Sequence, residues 1–268
     1  MLKQRVITAL IAAPTVIAAI FFLPLTAFAA VFLVLAGLGV FEWANLAGIR
    51  STAAKAAYLI GYALLGYLLL NAPSSWPAVL KCVVAFWVLA VVVVLTFPAS
   101  GQVLIGPVLV PAGYVAFVGA WLALVALLVA GGPWLIVWVL IVVWAADIGA
   151  YFAGRQFGRR KLALLVSPGK TWEGAIGGTL LAVLLGSAMG MSVPALQSVA
   201  PEPRQWIVGS LIVAIVSVFG DLFESALKRA RGVKDSGGLF PGHGGMLDRV
   251  DSLIAALPCV ALAVTGQP

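Results

Sequence analysis

The sequence predicts an all-α polytopic membrane protein, and three observations carry that prediction. Apolar residues fill 63% of the 268 positions, and the mean hydropathy is +1.14. Charged residues fill only 9%, against about 25% in soluble domains. The apolar residues also gather into runs of about 20, the length a helix needs to cross hydrocarbon. A backbone in that medium must satisfy its own hydrogen bonds, so the spans are helices.

Nine runs qualify, at about 5–22, 25–47, 55–71, 78–97, 108–130, 134–153, 172–191, 206–228 and 250–266. Pro14 and Pro24 interrupt the first two. The opening MLKQRVITAL has the basic start and apolar run of a signal peptide. No small-residue cleavage site stands out, and Arg5 begins an ordinary first span. With the N-terminus in the cytoplasm, fourteen Lys and Arg residues fall on inside segments and two, Lys81 and Arg204, on outside segments. That bias supports nine spans, N-terminus in and C-terminus out. Eight spans, with one early helix lost, conflict only with Lys3 and Arg5. The net charge of +7 follows from residues that flank spans, so no nucleic-acid partner is expected. Cys82 and Cys259 both lie in apolar runs and read as small packing residues without a disulfide framework.

Residues 1–130 read as a scaffold and 131–268 as the catalytic region of one integral membrane unit. Glu42 is the only acid of the first part. Beside Trp43 and Asn45, near the inner end of the second span, it reads as an interfacial or helix-packing residue. Gly37, Gly39, Gly61 and Gly66 allow close helix approach.

The second part carries the chemistry. Asp147 lies within the apolar run WLIVWVLIVVWAADIGAYFAG, and an intramembrane acid points to function. Tyr151 and Gly154 follow on the same helix face. Residues 155–174 form a basic loop that ends in Ser167–Gly174, read as a helix start capped by Ser or Thr. A helix start favours an anion, and Lys170 adds a full positive charge there. Residues 192–205, with three prolines, read as an outer connector. Asp221, Glu224, Ser225 and Lys228 share one face of the next span. Asp221 lies roughly 10 Å inward of Lys228, so this face should line a polar cleft that enters from the cytoplasmic side.

Charge is concentrated after that span, in SALKRARGVKDSGGLFPGHGGMLDRVD, residues 225–251. Lys228, Arg229, Arg231 and Lys234 can neutralise phosphate oxygens. Asp248 and Asp251 share a helix face and can hold a hard cation. Gly237, Gly238, Gly242, Gly244 and Gly245 would let backbone approach a phosphate. The only histidine, His243, sits in this glycine turn and could bind phosphate or orient a carboxylate. Cations, carboxylates and a glycine turn together suit phosphoryl or nucleotidyl transfer. The expected metal pair is Asp221 with Asp248, with Asp251 nearby, and oxygen-only ligands point to Mg²⁺.

Ser225, Lys228–Arg229, Lys234–Asp235, Gly237, Phe240–Pro241, His243–Gly244–Gly245 and Asp248–Arg249–Val250–Asp251 resemble the full signature of the phosphatidate cytidylyltransferases. Asp147, Ala150 and Tyr151 are similar to a second family run. Ser167, Lys170, Thr171, Glu173 and Gly174 are similar to a third, which departs at Gly169, where a second lysine is usual. The resemblance implies transfer of the cytidylyl group of CTP to phosphatidic acid, giving CDP-diacylglycerol and pyrophosphate for phospholipid biosynthesis. It implies membrane lipids as surroundings, K⁺ as a second cation beside Mg²⁺, and a homodimer. Lys170, Asp221, Lys228, Lys234, Asp235, Asp248 and Arg249 are the expected catalytic residues. Asp147, Tyr151, Ser167, Thr171, Glu173, Ser225, Arg229, His243, Gly244 and Gly245 are the expected substrate contacts. The expected location is a bacterial inner membrane, with the site on the cytoplasmic side. Two other readings remain at this point: a membrane transferase acting on a polyprenyl acceptor, and a cation-coupled transporter with Asp147, Asp221 and Asp248 on its ion path.

Overall fold

The computed structural model describes residues 2–239 and 244–266, with side chains from residue 12 onward. It is almost entirely helical. Helices α1 (Leu2–Phe22), α2 (Leu25–Leu46), α3 (Thr52–Leu70) and α4 (Trp76–Leu95) are followed by a 3₁₀ segment at Ala99–Ile105. Next come α5 (Leu109–Phe157), strands β1 (Lys161–Ala163) and β2 (Ser167–Thr171), α6 (Trp172–Ser192), the short α7 (Pro194–Gln197), α8 (Pro203–Ala230) and α9 (Leu247–Thr265).

Six helices among the described residues are long and apolar enough to cross a membrane: α2, α3, α4, α5, α6 and α8. Many of their large apolar side chains point outward, including Ile60, Leu64 and Leu68 on α3 and Ile176, Leu180 and Leu184 on α6. Contiguous apolar surface of this extent is unfavourable in water and is what a lipid environment accepts. The protein is therefore integral to the membrane.

The sequence places a boundary between residues 130 and 134, and α5 breaks there. Gly132 adopts φ 70° and ψ −173° inside a 49-residue helix, directly before Pro133. Positive φ is a conformation that glycine accepts without steric penalty, and proline supplies no amide to continue the ladder. Both halves of α5 run through the centre of the molecule. Leu122, Ala123, Val125, Leu127, Ile136, Val139 and Val142 are essentially inaccessible.

The second half of α5 packs against α6 through small residues. A side chain on Gly178 would strike the Ala146 carbonyl, and one on Gly149 would meet Gly178 itself. Backbones can approach this closely only where no Cβ intervenes. Indole groups tie the helices further. Trp43 Nε1 donates to Leu109 O at 2.7 Å, Trp121 Nε1 to Ala29 O at 2.8 Å and Trp138 Nε1 to Gly186 O at 2.9 Å. Each indole N–H would otherwise lie unpaired in an apolar setting.

The basic loop differs from its expected form. Ser167–Thr171 is not the first turn of a helix but a strand, paired antiparallel with β1 (Lys161 opposite Thr171, Ala163 opposite Ser167). The helix begins at Trp172, with Thr171 as its cap; Thr171 Oγ1 accepts from Gly174 N at 3.1 Å. Capping by Thr is as the sequence reads, but Ser167 belongs to the hairpin. The hairpin hangs beside the end of α5 and turns the chain back onto α6.

Candidate active site

Three elements bring their polar side chains together toward the C-terminal ends of α5 and α8, beside the hairpin. Asp147 comes from α5, Lys170 from β2 and Asp221 from α8. The Lys170 ammonium lies 2.6 Å from an Asp221 carboxylate oxygen. The other Asp221 oxygen accepts from Ser225 Oγ at 3.3 Å, one helical turn on. Asp251, on α9, interacts electrostatically with Asp221, Asp147 and Lys170. Close helix contact makes this possible: a side chain at Gly220 would strike Asp251 O and Ala255 Cβ, so α8 and α9 nearly touch beside Asp221.

A cavity of about 440 Å³ opens here, lined by Asp147, Tyr151, Arg155, Gly169, Lys170, Thr171 and Asp221. Arg155 donates to the Tyr151 hydroxyl at 3.2 Å. A larger groove of about 800 Å³ adjoins it, walled by apolar residues of α4, the hairpin, α6 and α8. Leu162, Ala175 and Val218 line both spaces. A charged chamber and an apolar one thus share a wall.

A second polar cluster stands beside the first. Lys228 Nζ lies 2.5 Å from Glu224 and 2.6 Å from Asp248, and the three side chains are only 13%, 2% and 9% exposed. The remaining Asp248 oxygen accepts from Ser236 N at 3.1 Å, Ser236 Oγ at 3.0 Å and Gly245 N at 2.7 Å. Glu224 interacts with Asp251 across the two clusters. The sequence pairs Asp221 with Asp248; in the structure each acid holds a different lysine, and Asp147 and Asp251 are acids that interact with Asp221. Among the described residues, no three ligating side chains meet at one point.

Glu42, read from the sequence as an interfacial or helix-packing residue, is buried in this region and joins α2 to the start of α9. Its carboxylate is 5% exposed and accepts from Ser236 Oγ at 2.9 Å, Met246 N at 2.9 Å and Leu247 N at 2.8 Å. It explains glycines that the sequence assigns to phosphate approach. A side chain on Gly237 or Gly245 would strike the Glu42 carboxylate, and one on Gly244 would meet Asp248. These glycines admit protein carboxylates. Glu42 and Ser236 were both missed as site residues by sequence reasoning. The available signal for Glu42 was an isolated acid at the end of an apolar run, the kind of residue that has a partner by default.

Several cations serve structure. Arg229 Nε donates to Val166 O at 3.3 Å and so holds the hairpin. Arg231 donates to Ile105 O at 3.2 Å. Glu173 accepts from the Arg159 amide at 3.0 Å and the Arg160 amide at 3.2 Å, which closes the turn before β1 rather than facing the cavity. Ser167 pairs with Ala163 and does not line the cavity. Lys234, Asp235 and Arg249 are exposed near the second cluster. His243 lies outside the described residues, with Phe240, Pro241 and Gly242.

Acids paired with lysines where helices of an apolar bundle meet, between a polar chamber and an apolar one, suit a membrane-embedded enzyme that handles phosphate groups next to lipid. The family model described as the cytidylyltransferase family matches residues 3–265. The chain is 42% identical to a phosphatidate cytidylyltransferase of Pseudomonas aeruginosa over 97% of this chain and 96% of the relative. It is 35% identical to that of Haemophilus influenzae over 96% of both chains. It is 50% identical to that of Brucella suis over half of this chain and 48% of the relative. The chain belongs to the cytidylyltransferase family.

Proposed function

We propose that the protein transfers the cytidylyl group of CTP to phosphatidate, producing CDP-diacylglycerol and pyrophosphate. The observation that carries this reading is the shared wall between the charged cavity and the apolar groove. A lipid with a phosphate head and acyl tails needs both at once, and residues such as Val218 face both. In the reaction a phosphatidate oxygen attacks the α-phosphorus of CTP in line, and the bond from that phosphorus to the β-bridging oxygen breaks. The nucleophile is already anionic, so the main obstacle is repulsion between polyanions. Lys170 and Arg155 are placed in the cavity to offset phosphate charge, and Lys228, Lys234 and Arg249 supply cations on the neighbouring face. Thr171 and Tyr151 offer hydroxyls to phosphate oxygens.

The donor set fits a hard divalent cation. Asp147, Asp221, Asp248, Asp251 and Glu224 offer only oxygen, and the ammonium groups paired with them are those of Lys170 and Lys228. Oxygen-only ligands of this kind suit Mg²⁺, with K⁺ as a second cation. Asp221, Asp248 and Asp251 would hold it only after Asp221 and Asp248 turn from Lys170 and Lys228, since among the described residues no three ligating side chains meet at one point. When bound, such an ion offsets charge on the triphosphate and on the transition state.

The same reading places nine crossings in a bacterial inner membrane, N-terminus inside, with α5 crossing twice about its break at Gly132 and the site on the cytoplasmic side, where CTP is. It includes a homodimer and no nucleic-acid partner. The scaffold of residues 1–130 then contributes to the catalytic half through Glu42. The test is acceptor exchange with purified protein in detergent and labelled CTP. Phosphatidate with Mg²⁺ should yield a labelled lipid, whereas diacylglycerol or a polyprenyl phosphate should not. Labelling of the polyprenyl acceptor in preference to phosphatidate would overturn the proposal.

A further inference from the structure

We propose that Glu42 is a positioning residue for the transfer step, acting through Ser236 on Asp248. The inference rests on the reading of Asp248 and Lys228 as part of the catalytic machinery. Glu42 belongs to α2, 194 positions before Ser236, yet its carboxylate is buried against residues that precede and follow the glycine turn. Gly237 and Gly245 leave no room for a side chain beside that carboxylate.

A cap on α9 would account for the two amide bonds to Met246 and Leu247 alone. The bond to Ser236 needs a different account. Ser236 Oγ lies 2.9 Å from Glu42 and 3.0 Å from Asp248. A hydroxyl has one proton, and an ionised carboxylate only accepts. The two acids therefore share a single donor. Glu42 sets where Ser236 stands and how much of its proton Asp248 receives. Asp248 in turn presents its other oxygen to Lys228. The sequence Glu42, Ser236, Asp248, Lys228 runs from the scaffold to the second polar cluster without a gap.

This account separates two effects of Glu42. The cap contributes to stability whether or not Ser236 is present. The influence on the reaction passes through the Ser236 hydroxyl. The experiment is a double-mutant cycle on the full chain in detergent, with Glu42→Gln, Ser236→Ala and the pair, reading kcat, KM for CTP and thermal stability. Glu42→Gln should lower kcat by about 10- to 100-fold, with KM for CTP within about twofold of wild type. Ser236→Ala should lower kcat as well, and the double variant should fall no further than the slower single variant. The stability loss from Glu42→Gln should persist in the Ser236→Ala background. A double variant whose kcat falls to the product of the two single effects would overturn the inference, as would a Glu42→Gln kcat within about twofold of wild type. If Glu42→Gln does not fold, Ser236→Ala decides, because it keeps both amide bonds to α9. Lost kcat at unchanged stability supports the inference, and retained kcat overturns it. Asp248→Asn separates the two levels. Full activity there removes both readings, whereas an inactive Asp248→Asn beside a fully active Glu42→Gln removes this one alone.

Discussion

Replacing Lys228 with Met tests the second polar cluster most sharply. The ammonium lies between Glu224 and Asp248, whose side chains are 2% and 9% exposed. Its loss leaves two acids in a setting that excludes water. Breaking a buried ion pair costs about 3–5 kcal/mol, most of it from the charge left behind. The structure says where that cost falls. Asp248 keeps donors at Ser236 N, Ser236 Oγ and Gly245 N. Glu224 has no ion-pair partner other than Lys228 among the described residues. Adding Glu224→Gln to Lys228→Met should therefore recover most of the loss, and adding Asp248→Asn should recover much less. The assay is reversible denaturant titration or thermal melting in detergent for the single variant and both doubles. Activity should stay lost in all three, because Lys228 belongs to the proposed machinery. A Lys228→Met cost below about 1 kcal/mol would show that the pair is worth no more than a surface one. Equal recovery by the two doubles would show that the burial argument assigns the charge to the wrong acid.

Three further outcomes follow from the cavity. Asp221→Asn removes the partner of Lys170 and should reduce kcat at least about 100-fold while the protein still folds and purifies, as turnover and size-exclusion profiles will show. Gly169 lines the cavity with nothing within 4 Å of an added side chain, so Gly169→Lys should fold normally and lower KM for CTP by about two- to tenfold through one more cation beside the phosphates. Val218→Trp fills the wall shared by the two chambers; KM for long-chain phosphatidate should rise about tenfold or more, with KM for CTP changed less than about twofold.

Much of the helical architecture is legible in the sequence because bilayer thickness imposes a length on each apolar run. The break in α5 falls in the gap between the runs 108–130 and 134–153. The hairpin is a different case. Lys161–Ala163 and Ser167–Thr171 are too short to show a strand period, and side chains outside the strands hold them: the distant Arg229 on the Val166 carbonyl and the nearby Glu173 on the Arg159 and Arg160 amides. The site is half legible for a similar reason. Asp147 and Asp221 stand out as acids in apolar runs and Lys170 as the cation of the Ser167–Gly174 segment, and they do meet at one cavity. A cluster of Lys and Arg does not reveal which cations are spent on backbone carbonyls, as Arg229 and Arg231 are. Nor can spacing link Glu42 to Ser236 and the start of α9, since only the packing of α2 against α9 brings them together. The glycines misled because backbone without Cβ admits a carboxylate as readily as a phosphate.

The central claim is that a lipid phosphate attacks the α-phosphorus of CTP at the cavity around Asp221 and Lys170. The most direct measurement compares CTP labelled at the α-phosphate with CTP labelled at the γ-phosphate, each incubated with purified protein, phosphatidate and Mg²⁺ and then partitioned between organic solvent and water. The account predicts that α-label enters the lipid phase while γ-label stays in water as pyrophosphate, and that Asp221→Asn abolishes both the lipid labelling and the conversion of CTP to pyrophosphate. Transfer of γ-label to lipid, or α-label left wholly in water, would contradict it.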